Sequence, residues 1–186
     1  MSQHSPKQWF QLEDLFFNEV DQHLLEKLRA EMKTDETAES ISRVTGINDS
    51  TVAKAIAELD VSTDTLAAFR LAPLVAVAWA DDRVEENERY RILQAAEKAG
   101  IRADEPAMQL LKNWTEKRPP AALLDAWCDY SAALCASLNE SHRATLKTEV
   151  LSQVTAIAEA CGGVLGFGSV SESEKATIAR IEKALE

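Results

Sequence analysis

Five carboxylates fall within eight residues in Ala80-Asp81-Asp82-Arg83-Val84-Glu85-Glu86-Asn87-Glu88. Hard cations such as calcium or magnesium take several oxygen ligands, and a bent loop can aim Asp81, Asp82 and Glu88 at one point, with Glu85 as a fourth donor. The segment is not an EF-hand. Counted from Asp81, the sixth position is Glu86 where a glycine is needed, and the twelfth is Ile92 where a bidentate Glu is needed. The same acids also have a purely structural reading. Glu85 to Glu88 is an acid-rich first helical turn that suits the helix dipole, with Glu88 folding back as in a capping box. The two readings are compatible.

Other residue patterns that could do chemistry are weaker. Gly162 to Gly168, GGVLGFG, lacks the lysine of a phosphate-binding loop and follows a helical pattern instead of a strand. Glu172 and Glu174 open the next helix and would repel phosphate there. With Val164, Leu165 and Phe167 among its glycines, the Gly162 to Val170 segment reads as a docking loop or as a piece packed on the core. Residues 37 to 59 resemble a helix-turn-helix in spacing, but the second helix offers only Lys54 against Asp49 and Glu58, so no nucleic-acid binding is expected. His4, His23 and His142 stand in no pattern with a Ser or Cys nucleophile. Cys128, Cys135 and Cys161 are odd in number and lack C-x-x-C spacing, which points to reduced, packed thiols.

The elements that must position these residues are helical. Apolar residues recur at helical spacing in Leu24, Leu28 and Met32, in Val52, Ile56 and Leu59, in Leu123, Trp127, Tyr130 and Leu134, and in Leu146, Val150, Val154 and Ile157. With few glycines and prolines and no clean alternation, the chain is expected to be all-α. Helix ends are expected at Gly46, Asn48-Asp49-Ser50, Ser62-Thr63, Gly100, Asp104 before Pro106, Pro119-Pro120, Asn139 and Gly162-Gly163. Residues 1–62 carry twelve acids and six bases and are expected to form an N-terminal extension of three or four small helices; residues 63–186 form the main helical domain. Leu66 to Ala80 is apolar on nearly every side and should run through the centre, with Pro73 kinking it or marking its start. Trp79, Trp114 and Trp127 share helical spacing with apolar neighbours and read as core.

An internal similarity sets Val77 to Arg89 against Ile157 to Lys175, the second copy having six extra loop residues. Each copy continues with an isoleucine four residues after its last Glu, Ile92 and Ile178, so each Glu shares a stripe with a core position. This suggests a duplicated helix-loop-helix.

Leu74 to Ile101, LVAVAWADDRVEENERYRILQAAEKAGI, resembles the core of the TerB-like (tellurite-resistance) family, whose motif is an apolar helix, Ala-Asp-Gly, an apolar residue and a following helix with a Glu. Asp81 falls on the motif Asp, Val84 on its apolar residue and Glu88 on its Glu; Asp82 stands where the family usually has Gly. Similar domains occur in TerB and in the N-terminal part of a membrane-anchored DnaJ-like co-chaperone. The resemblance implies an all-α TerB-like helical bundle with a duplicated arrangement over residues 63–186. It also implies a non-enzymatic stress-response or scaffold protein that binds a divalent cation weakly and has a protein partner.

Composition bounds these readings. With 20 Lys and Arg against 31 Asp and Glu, the chain carries a formal charge of −11, which disfavours a nucleic-acid regulator. The longest uncharged apolar run, Leu71 to Ala80, is half of the roughly 20 residues a bilayer requires. No membrane span and no secretory signal are read, and a cytoplasmic location is the expectation. The rival from another class is a hydrolase or transferase using carboxylates in an interhelical pocket. Whether the acids converge in a closed apolar cleft or lie on an open surface separates the two.

Overall fold

Between Pro6 and Gly46 the chain has no proline or glycine, so nothing in its chemistry stops a helix once begun. In the computed structural model, which describes the backbone of residues 6–161 and 170–186 and the side chains of residues 26–160 and 170–186, this stretch is one helix, α1 (Pro6–Thr45). The expectation of three or four small helices before residue 62 is thereby corrected to two. Gly46 ends α1 at φ 74°, a left-handed angle that costs glycine nothing. Asp49 then caps α2 (Ser50–Ala57), its Oδ1 accepting the Thr51 N–H at 2.9 Å.

The following helices are α3 (Leu66–Arg70), α4 (Ala72–Ala78), α5 (Glu86–Lys98), α6 (Pro106–Glu116), α7 (Ala122–Ser137), α8 (Glu140–Ala158), extended by a 3-10 turn at Glu159–Cys161, and α9 (Glu172–Ala184). Among the described residues every regular element is helical. The expected breaks hold at Gly100 (φ 87°), at Pro106 and at Asn139, whose Oδ1 accepts the His142 N–H at 2.9 Å, and Ser171 caps the start of α9. The apolar stretch from Leu66 to Ala80 is two short helices, because Pro73 has no N–H to continue the ladder and α4 begins beside it.

A short, wholly apolar helix cannot sit at a surface without losing its burial energy, and α4 lies in the centre, packed against α3, α5, α7, α8 and α9. Leu74, Val75, Val77 and Ala78 are all buried. One cluster of buried residues runs from Ala38 through Phe69 and Trp127 to Leu185, so the end of α1 and the apolar face of α2, which packs on α7, share the core of the later helices. Phe69 meets Tyr130 edge-on, with ring centroids 5.6 Å apart. Trp114 and Trp127 are buried and Trp79 packs against the core, as their spacing predicts.

Cys128 and Cys135 are free thiols, half-buried and buried, and burial pushes both above the ordinary thiol range. The side chain of Cys161 and all of 162–169 lie outside the described residues. So does the expected docking loop, apart from Val170, which packs against the core. No described helix is long and apolar enough to cross a membrane.

Phe69 is fully buried where α3 meets α7. Phe69→Ala should therefore lower the free energy of unfolding by about 3–5 kcal/mol, read as a lower urea midpoint at unchanged slope.

Candidate functional site

The acidic segment begins where α4 reaches the surface. After Ala78 the chain leaves the helix through tight turns: Ala80 N–H donates to Val77 O at 3.0 Å and Asp82 N–H to Trp79 O at 3.1 Å. Asp82 takes φ 71°, the left-handed conformation. Asp is one of the few residues besides Gly that adopts it with little strain, since its short side chain can hydrogen-bond locally. Where the resembled motif carries glycine, this chain thus follows a backbone path that glycine would favour.

The four acids singled out from sequence divide into two kinds. Asp81 and Asp82 are exposed and Glu85 is half-buried, all three on the open surface of the loop. Glu88 is 1% exposed, and its Oε2 accepts the Glu85 N–H at 2.8 Å, closing the first turn of α5 onto its own start. Glu88 is the shaping residue of the loop, and its stripe continues at the fully buried Ile92. The corresponding turn before α9 is built the same way. Ser171 N–H donates to Glu174 Oε2 at 2.6 Å and Glu174 N–H donates to Ser171 Oγ at 3.2 Å, with Glu174 buried.

Electrostatics distinguish the two ends of the loop. Glu86 and Glu88 lie in the first turn of α5, where the helix dipole favours negative charge. Asp81 and Asp82 follow the carbonyl end of α4, where it does not. Two arginines answer this. Arg83 reaches both Asp81, at 3.9 Å, and Glu85, at 2.9 Å. Arg118 pairs with Asp82 and lies 6.0 Å from the Trp79 ring centroid. These are solvent-facing pairs, each worth about 0–1 kcal/mol, so another cation can compete for the same oxygens.

Arg118 was not visible from sequence, because it arrives from 36 positions away and no local pattern announces it. The same holds for the bonds that brace the loop from behind. Trp79 Nε1 donates to Trp114 O at 2.8 Å and Arg89 to Thr115 O at 3.2 Å, tying the ends of α4 and α5 to the end of α6.

Among the described residues no group of three or more His, Cys, Asp or Glu is gathered closely enough to hold a metal ion in the conformation seen. Beside the loop, a groove of about 360 Å³ runs between the end of α4, the turn leading into α7 and the face of α9. Its floor is apolar, with Trp79 and Leu123, and its charged wall residues are Arg118 and Arg180. Asp81, Asp82 and Glu85 stand outside it on the open surface. His142 lies exposed at the first turn of α8.

Two substitutions should separate shaping from charge. Glu88→Ala removes the cap and should cost about 0.5–2 kcal/mol of stability, whereas Asp81→Asn should change it little. At position 82 the backbone angle governs: Asp82→Ala should be less stable than Asp82→Gly by about 1 kcal/mol, measured by denaturant titration. An alanine as stable as the glycine would show that the left-handed turn is not kept in solution. Set against family models, curated proteins and solved structures, the chain matches none.

Proposed function

We propose that this chain is a non-enzymatic, TerB-like interaction module of a cytoplasmic stress-response or scaffold kind, whose α4–α5 loop takes a divalent cation weakly. The observation that carries the proposal is the division of labour in the loop. Glu88 and the left-handed Asp82 fix the backbone, while Asp81, Asp82 and Glu85 keep oxygens at the surface beside Arg83 and Arg118. A divalent ion would displace the arginines and relieve the repulsion between Asp81, Asp82 and the carbonyl end of α4. Calcium or magnesium suits such oxygen donors. Solvent keeps a share of the coordination sphere, which makes the binding weak.

Two further features support the TerB-like reading. The Ala80-Asp81-Asp82 turn has the backbone angle that the family's glycine would adopt. The second capping box at Ser171 and Glu174 repeats the local device of the first, as a duplicated helix-loop-helix requires. The rival hydrolase or transferase needs carboxylates in a walled cleft, and here the acids lie on an open loop. An interaction module coupled to the ion would present this loop to a protein partner, the bound ion changing the sign of the local charge.

Ion present at about 100 times its dissociation constant should add about 2.7 kcal/mol if only the folded chain binds it. Millimolar calcium or magnesium should then raise the melting temperature relative to chelator. A chain of charge −11 also gains from general screening, so the comparison is between variants. Asp81→Asn should lose the increment, and Glu31→Gln, on the exposed part of α1, should keep most of it. Equal responses would leave the loop as a capped helix start with no ion site.

A further inference from the structure

A second feature of the molecule lies away from the acidic loop. Trp127, Tyr130, Ser131 and Leu134 form a stripe at helical spacing along α7, and Leu146 and Val150 face them from α8. The space between is a groove of about 320 Å³, closed by Leu185 after α9 and by the end of α1 at Val44 and Thr45. Its size is at the lower end of the roughly 300–1,000 Å³ typical of small-molecule sites. An apolar groove alone does not specify an occupant; its polar groups do.

Arg70, at the end of α3, is the one charged residue in this wall, and among the described residues it has no ion pair and no hydrogen bond. Arg70 is exposed at the edge of the apolar groove, where its charge can meet an anionic head without first giving up a carboxylate partner. Tyr130 and Ser131 are buried, at 6% and 2% exposure, and among the described residues neither hydroxyl has a hydrogen-bond partner. Neither hydroxyl oxygen is among the fully enclosed unpartnered atoms; both residues line the groove. Both hydroxyls are thus open to the groove, where a ligand oxygen can take the place of water as their hydrogen-bond partner.

We propose that the α7–α8 groove binds a small amphipathic carboxylate, an alkyl or acyl chain with one acid head. Arg70 supplies the charge complement, Tyr130 and Ser131 supply neutral hydrogen-bond donors, and Trp127, Leu134, Leu146, Val150 and Leu185 take the chain. This rests on residues separate from the acidic loop, and a chelator should not affect it.

Octanoate titrated into the full chain by calorimetry, well below its micelle concentration, should give saturable one-to-one binding and a change in tryptophan fluorescence. Octan-1-ol serves as the neutral probe of the same chain length. Arg70→Met keeps the apolar stem and should weaken octanoate by about tenfold or more, the scale of a lost charge-assisted hydrogen bond, while leaving octan-1-ol unchanged. Val150→Trp should block both probes at an unaltered circular dichroism spectrum. Arg70 is exposed, so its variant will fold and the test stands even if Val150→Trp does not. The proposal is overturned if octanoate shows no saturable binding at millimolar concentration, if Arg70→Met binds it as well as the parent chain, or if a folded Val150→Trp still binds both probes.

Discussion

The burial of α4 is the constraint on which the rest of the structure depends. Seven residues without a charge, flanked by five other helices, leave no place for a polar side chain until the helix surfaces at Trp79. All the ionisable chemistry of this part of the chain is therefore displaced to its exit. There the chain must turn, satisfy the carbonyl end of α4, and start α5 within a few residues. Aspartates at the turn and glutamates at the new helix start answer the two demands in order. The aspartates tolerate the left-handed angle, and the glutamates complement the dipole of α5.

The cost of that solution is the placement of Asp81 and Asp82 behind a helix C-terminus in a chain already rich in acids. Arg83 and Arg118 offset it locally, and Arg118 does so from the turn before α7. Because those pairs are solvent-facing, they hold the acids without consuming them. Glu88 is different in kind. Its carboxylate is withdrawn from solvent and spent on the backbone of its own helix, as Glu174 is in the later turn. Two residues of one chemical type in one short motif thus serve separate ends, and burial decides which serves which.

Much of this was legible in the sequence because it is local. The helix ends at Gly46, Asp49, Gly100, Pro106, Asn139 and Ser171 follow from residue type at a single position, and the capping role of Glu88 follows from spacing to Glu85. The expected three or four small helices before residue 62 are not formed, although Thr, Ser and Asp between residues 34 and 45 are weak helix formers. With no glycine or proline, weak propensities were not enough to end the helix. Thr34, Thr37, Ser40 and Thr45 instead turn their hydroxyls back to carbonyls four residues earlier. What could not be read was anything that depends on distance along the chain: Arg118 beside Asp82, Trp79 on the Trp114 carbonyl, or Arg70 at the mouth of the α7–α8 groove. These are products of tertiary packing and leave no trace in periodicity.

The central claim is that one acid of the loop shapes it while three others remain available to a cation. Carbon-detected nuclear magnetic resonance of the side-chain carboxyl carbons, followed through a magnesium or calcium titration of the whole chain, tests this residue by residue. The carboxyl signals of Asp81, Asp82 and Glu85 should move together along one saturation curve while that of Glu88 stays in place. A Glu88 signal moving with them would contradict the division of roles, and a uniform small drift across all surface acids would contradict the site itself.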